Sequence, residues 1–259
     1  MIFVDTHCHL DDERLKTDVD GIVNDFNSAG VKIAINVGCD ALSSETVKNQ
    51  AEKFDGVFFA AGIHPMEVNG VKDGDLSLIK NLALHPKCVA IGEIGLDYYW
   101  DKTFKDKQKE YFARQIALAY SLKLPINVHV RDAYGDALEI LKENKAKLGY
   151  GGVMHCYSGS IETAKELLNL GFYFSFGGTL TFKNARTVVE VVKFLPKDRI
   201  LTETDSPYLA PEPVRGTVNT PKNIPFIVKK LAELRGESLD ETAEYVYNNT
   251  LNLFKKIKQ

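Results

Sequence analysis

The rhythm of this chain limits what it can become. Eight short apolar runs, residues 2–6, 31–37, 57–63, 88–94, 125–130, 152–156, 171–176 and 199–204, are separated by longer amphipathic segments. Val19, Ile22, Val23 and Phe26 recur at helical spacing and stop at Gly30. The same period predicts helices over 106–122, 161–170 behind a Ser160 cap, 185–194, 223–234 and 239–257. Strands that are apolar at nearly every position are buried on both faces, as in a parallel sheet covered by helices. Eight such units close into an α/β fold, the (β/α)8 TIM barrel, whose usual size of ~250 residues suits this 259-residue chain. No linker, low-complexity tract or charge block interrupts the rhythm, so residues 1–259 are expected to form one domain. The longest irregular stretch, 206–221, carries Pro207, Pro211, Pro213, Gly216 and Pro221, and a loop of that length is expected to serve function.

Chemistry collects where the apolar runs stop. Phe3-Val4-Asp5-Thr6-His7-Cys8-His9-Leu10 sets two imidazoles two residues apart, on one face of a strand, where they can grip one cation. His64, His129 and His155 end three further runs, and only His85, in Leu84-His85-Pro86, reads as a loop residue. Glu93 closes another run, and Glu203 with Asp205 closes the last. In a barrel the carboxyl ends of all strands meet at one mouth, so His7, His9, Glu93, His129, His155 and Asp205 are expected to converge. Four imidazoles and two carboxylates exceed what one tetrahedral ion needs. Two divalent cations fit better, with Glu93 shared because its strand faces the first across the barrel. Two metals ~3.5 to 4 Å apart can activate a water and stabilise the entering and leaving oxygens of a displacement.

Charge narrows the partners. A net charge of -3 and a pI near 6.1 argue against binding nucleic acid through a broad basic surface, which usually brings a pI above ~9. A phosphate-bearing substrate would be held locally, by metals and a few arginines. Arg131, on the face of His129, and Arg215, in the long loop, are the candidates for that work. The lysines of Phe254-Lys255-Lys256-Ile257-Lys258 are expected to favour the negative end of a terminal helix. No run approaches the ~20 apolar residues of a membrane span, and Met1-Ile2-Phe3-Val4-Asp5 lacks the cationic start of a signal peptide. The expectation is a cytoplasmic protein without an obligate protein partner. Cys8, Cys39, Cys88 and Cys156 lie in or after apolar runs without C-x-x-C spacing and read as buried, reduced thiols.

Six segments together resemble the TatD family of metal-dependent deoxyribonucleases: Asp5-Thr6-His7-Cys8-His9-Leu10, Gly62-Ile63-His64-Pro65, Gly92-Glu93-Ile94-Gly95-Leu96-Asp97-Tyr98, His129-Val130-Arg131, His155-Cys156-Tyr157-Ser158-Gly159 and Thr202-Glu203-Thr204-Asp205-Ser206-Pro207. They follow the family's order from residue 5 to about residue 221. The resemblance implies a barrel of the metal-dependent hydrolase superfamily and a phosphodiesterase acting on DNA. By it, His7, His9 and Asp205 would hold one metal, His129 and His155 the other, and Glu93 would bridge. Tyr157 stands where many members carry Phe, a departure that leaves the chemistry untouched.

The roles beyond the ligands follow from residue type. Asp205 can also take a proton from the attacking water. Glu203 is either a helper carboxylate or a group that orients a histidine. His64 can donate to a phosphate oxygen or leaving group, and Gly95, Gly159 and Gly216 are expected in turns. The favoured activity is a deoxyribonuclease, an exonuclease on single-stranded or frayed DNA ends, using Mg, Mn or Zn. A second reading is an amidohydrolase of the same superfamily acting on a small cyclic amide, lactone or base. Many of those bridge their metals with a modified lysine where this chain has Glu93, and the nearest lysine, Lys87, precedes that strand. The third reading, a non-catalytic metal-binding scaffold, would bury many charges without use.

Overall fold

The computed structural model describes residues 1–258. Its strands are β1 (Phe3–Cys8), β2 (Val31–Val37), β3 (Val57–Ala61), β4 (Cys88–Asp97), β5 (Ile126–Arg131), β6 (Gly152–Met154), β7 (Phe172–Phe176) and β8 (Ile200–Thr202). They pair in parallel, each with the next in sequence. The helices are α1 (Val19–Ser28), α2 (Ala41–Lys53), α3 (Asp75–Ala83), α4 (Lys105–Leu122), α5 (Tyr134–Glu143), α6 (Ile161–Asn169), α7 (Arg186–Phe194), α8 (Ile224–Arg235) and α9 (Leu239–Leu253). The molecule is thus a (β/α)8 barrel. It closes where the Asp205 amide donates to His7 O at 2.9 Å and the His9 amide donates to Ser206 O at 2.8 Å.

Local chemistry sets the helix starts. Asp18 accepts from the Gly21 amide ahead of α1, and Ser160 accepts from the Thr163 amide ahead of α6. Asp40 and Ser43 form a reciprocal capping box at α2, satisfying amides that the helix cannot. The periodic residues Val19, Val23 and Phe26 are the buried face of α1.

The last expected helix ends early, at Leu253, so the terminal lysines lie beyond it. Lys256 Nζ instead donates to Ala83 O and His85 O, both at 3.1 Å, where α3 gives way to β4. The physical reason is burial: Leu253, Phe254 and Ile257 pack with Val4, Ile35, Ala60, Ala90, Val153 and Leu201 of the strands. This seals the end of the barrel where strands begin and leaves the other end for chemistry.

Strand lengths depart from the runs. β1 continues through His7 to Cys8, and β4 continues past Glu93 to Asp97, while β6 and β8 stop before His155 and Glu203. Gly95 is therefore inside a strand, not a turn. A Cβ there would lie 1.9 Å from His129 O, so only glycine lets β4 and β5 approach at this level.

Buried amides from the helices hold the strand ends. Gln115 of α4 accepts from the Ile63 amide at 2.7 Å and donates to Ile63 O at 3.0 Å. Two turns earlier, Gln108 makes the same pair with Asp97, at 2.9 and 3.0 Å. Asn36 accepts from the Leu10 amide, donates to Gln50, and Gln50 donates back to Leu10 O. These clamps fix the chain beside His64, Asp97 and His9. Replacing Gln115 by Leu leaves a buried amide and carbonyl without partners and is expected to cost about 2 to 6 kcal/mol, at ~1 to 3 each. Urea unfolding measures it, and a loss under ~0.5 kcal/mol, the size of an ordinary surface change, would show that the clamp is dispensable.

Candidate metal centre

Each imidazole at the mouth is turned by the partner of its other nitrogen. His7 Nδ1 donates to Asn127 Oδ1 at 3.3 Å, and His9 Nδ1 donates to Val37 O at 2.8 Å. His129 presents the opposite edge, donating from Nε2 to Asp97 Oδ2 at 3.1 Å. His155 Nδ1 faces Glu203 Oε1 at 3.4 Å, and that oxygen also accepts the Cys156 amide at 2.5 Å. Anchoring one nitrogen leaves the other as a lone pair aimed inward.

The inward nitrogens surround one carboxylate. Glu93 Oε2 lies 3.4 Å from His7 Nε2 and 3.7 Å from His9 Nε2. Its other oxygen, Oε1, lies 2.9 Å from His129 Nδ1 and 3.0 Å from His155 Nε2. Asp205 Oδ1 completes the first group, 3.6 Å from His9 Nε2 and 4.0 Å from His7 Nε2. The mouth thus brings together all six residues expected there, from β1, β4 and β5 and from the ends of β6 and β8. His7, Glu93 and His155 are more than nine-tenths buried, and Asp205 faces a cavity of 480 Å³ lined also by His129, His155 and Arg131.

Electrostatics sets the charge of these groups. Burial disfavours the charged imidazole at His155, yet Glu93 and then Glu203 outweigh it and raise its pKa well above the ordinary value. At His9 burial is likewise overcome, by Cys39, Asp205 and Glu93. Burial alone would raise Glu93, but His155, His7 and His64 hold it well below the carboxylate range. Asp205 is lowered too, its burial offset by the hydrogen bond from His9 and by the charges of His155 and His7. The carboxylates therefore stay anionic beside imidazoles, His9 and His155, that readily take positive charge.

Geometry asks for the same. His7 Nε2 and His9 Nε2 face each other at 3.1 Å, and His129 Nδ1 faces His155 Nε2 at 3.2 Å. Two lone pairs at such distances need a cation between them, either a proton or a metal ion. Asn127 Nδ2 and Glu203 Oε2 are buried around the centre without hydrogen-bond partners, and His155 Nδ1 has only its ion-pair contact to Glu203 Oε1. His7, His9 and Asp205 each offer a donor atom within 4.8 Å of the others, as do His7, Glu93 and His155. Imidazole and carboxylate donors of this kind suit Zn, Mn, Mg and related ions, so these residues could hold divalent metal.

The remaining candidates divide. His64 Nδ1 accepts from the Met66 amide at 3.1 Å, so its Nε2 carries hydrogen and points toward Glu93 Oε1, 3.7 Å away. Burial drives its pKa down to about 3, with Glu93 opposing only in part. It is a neutral donor rather than a free lone pair. Arg131 is exposed and lines the cavity. Arg215 lies over the Phe182 ring, 4.1 Å from its centroid, and 3.8 Å from Glu212. Phe182 lines the cavity, whereas Arg215 does not. The four cysteines are free thiols, and His85 sits in the turn after α3, 3.2 Å from Glu52.

Several residues escaped the sequence reading. Asp97 and Asn127, which orient His129 and His7, stand two positions from a Gly and a His that were legible; register alone brings them into contact. Cys39 Sγ lies 3.9 Å from His9 Nδ1. Arg186, at the start of α7, lines the cavity together with the strand-end residues His129, His155 and Asp205. The backbone is strained here as well: Asp132, Cys156 and Asp205 have φ of 54°, 44° and 52°. Non-glycine residues seldom adopt that region, and such strain collects at functional sites.

A parallel eight-stranded barrel with imidazoles and carboxylates gathered at its carboxyl mouth is the architecture of a metal-dependent hydrolase. Comparison with known proteins narrows the class. The family model described as TatD related DNase matches residues 4–255, and the chain belongs to that family. It is 44% identical to the uncharacterized metal-dependent hydrolase YabD of Bacillus subtilis, over 98% of this chain and 99% of that one. It is 39% identical to the uncharacterized metal-dependent hydrolase YcfH of Escherichia coli K12, over 98% and 96%. The crystal structure of YJJV, a TatD homolog from Escherichia coli K12, superposes with a TM-score of 0.93 at 32% identity, covering 98% of both chains. Among the described residues no helix is long and apolar enough to cross a membrane.

Proposed function

We propose that this protein is a deoxyribonuclease, a phosphodiesterase using two divalent cations to cut single-stranded or frayed DNA ends. The observation that carries the reading is Glu93, whose two oxygens face separate histidine pairs, His129 and His155 of one pair lining a cavity with Arg131 on its wall. His7, His9 and Asp205 would hold one cation, His129 and His155 the other, with Glu93 shared. Mg, Mn or Zn bound there would polarise a phosphoryl oxygen and make a water acidic enough to lose its proton near neutral pH.

The chain's own groups supply the rest. Asp205 is an anionic acceptor at the cavity and takes a proton from the attacking water. His64, neutral and carrying hydrogen on Nε2, donates to a phosphoryl or leaving oxygen. Glu203 acts through His155, which it orients together with the Cys156 amide. Arg131 and Arg186, which both line the cavity, are placed to fork onto phosphate oxygens. The amidohydrolase alternative gains no support from Lys87, whose Nζ donates to Ala51 O and Phe54 O at 2.7 and 2.6 Å. That lysine lies ahead of β4, away from Glu93. A mere scaffold would not need so many shifted groups in one cavity.

The centre sits below the βα loops, including 206–221, where Asn219 donates to Thr204 O and Tyr208 O at 3.0 and 2.8 Å and holds the loop in place. An intact duplex is too wide to bring its backbone to such a floor, but a single-stranded end can thread in. Phosphate contacts carry no base information, so sequence preference should be weak. With Mg or Mn present, linear single-stranded DNA should be degraded while a covalently closed circle of the same sequence survives. Comparable loss of the circle would mean internal cutting and end the threading picture.

A further inference from the structure

Beyond the cavity, the chain exposes an aromatic pair that the chemistry above does not use. Tyr99 and Trp100, directly after β4, are 53% and 67% exposed, and their rings meet edge to face with centroids 4.9 Å apart. Asp97 Oδ1 accepts the Tyr99 amide at 2.9 Å and lies 3.4 Å from the Trp100 amide. The other oxygen of Asp97 holds His129. The pair is therefore tied to the centre through a single buried carboxylate. Arg131 reaches over it, its guanidinium carbon 3.7 Å from the Tyr99 centroid and 5.3 Å from that of Trp100. Beyond Asp101 two lysines follow: Lys102 is exposed, and Lys105 Nζ lies 4.5 Å above the Tyr98 ring.

Exposing two large rings to water is unfavourable unless something covers them. Arginine occupies one side of Tyr99, while the Trp100 ring remains largely open. Cations interleaved with open aromatic rings, beside a site for phosphodiesters, match a single strand whose backbone meets the charges and whose bases stack. We infer that Tyr99 and Trp100 form a stacking platform for a nucleobase of the single-stranded substrate, with Arg131 joining the platform to the phosphate at the centre. Stacking accepts any base, so the platform adds affinity without sequence preference. Duplex DNA, with its bases already stacked, could not use it. This rests on the nuclease reading and deepens it.

Trp100 is the sole tryptophan of the chain, which makes the platform directly observable. The metal-loaded protein would be mixed with a short all-thymine strand, or with an abasic strand of the same length and phosphates, and Trp100 fluorescence read before turnover. Strong quenching by the first and little by the second is expected. In anisotropy titrations, Trp100→Ala should weaken binding of the thymine strand at least about 5-fold, the low end for one stacked base, while Trp100→Phe retains most of the affinity. Tyr99→Ala keeps the reporter and should reduce the quench. Equal quenching by the two strands, or a Trp100→Ala variant that still prefers the thymine strand, would overturn the platform. Quenching that follows protein concentration instead of DNA would assign the face to a second copy of the chain and equally overturn it. A protein that cuts DNA but fails these tests loses the platform and keeps the nuclease reading. One that distinguishes the strands but cuts neither loses the nuclease reading and keeps the base-binding platform.

Discussion

Replacing Glu93 by glutamine is expected, on the proposed two-cation reading, to remove one cation and at least ~10²-fold of phosphodiesterase turnover, the several kcal/mol that a metal ion supplies to a displacement. Both carboxylate oxygens are committed, Oε1 to His129 and His155 and Oε2 to His7 and His9. The side chain is held deprotonated by the histidines around it. Glutamine keeps the shape but offers one acceptor oxygen and an NH2 group. Whichever histidine pair meets the NH2 group loses its anionic partner, and nitrogen bearing two hydrogens has no lone pair for a metal. Metal analysis should fall from two ions per chain toward one, with circular dichroism unchanged because glutamine keeps the size and shape of the side chain it replaces. A variant that kept two ions and near wild-type turnover would show that Glu93 does not bridge.

The barrel was legible because its signal is redundant. Eight apolar runs with helical segments between them have few other ways to bury both faces of every strand, and an error of a few residues at a boundary does not disturb the count. Convergence of His7, His9, Glu93, His129, His155 and Asp205 follows from the same rule, since a parallel barrel sends every strand's carboxyl end to one mouth. What stayed hidden depends on register and rotation. Asp97 meets His129 because Gly95 lies opposite His129 in the ladder and Asp97 opposite Arg131, pairings that no spacing within one strand reveals. Which nitrogen each histidine turns inward depends on Asn127, Val37 O, Asp97 and Glu203, partners drawn from other strands or from loops. Arg186 was missed for a different reason: it opens a helix that lines the cavity, where no strand end flags it. The Lys256 contacts escaped because Phe254 and Ile257 left the helical path to fill the base of the barrel.

Asp205 separates proton transfer from metal binding, and Asp205→Asn is expected to lower turnover by at least ~10²-fold, the low end for loss of a general base. Oδ1 lies 3.6 Å from His9 Nε2, and the residue lines the cavity. Its backbone is held at a φ of 52°, a region asparagine tolerates better than most residues, so the substitution adds little strain. Asparagine keeps an oxygen able to coordinate but cannot accept a proton near neutral pH. Metal content should therefore fall less than in His7→Ala, which deletes a buried nitrogen outright and leaves nothing to take its place. The two variants would be compared at equal metal concentration, ions per chain against turnover. If Asp205→Asn and His7→Ala lost metal equally, and excess metal restored the asparagine variant's rate, Asp205 would be a ligand alone and the proton would have to leave by another group.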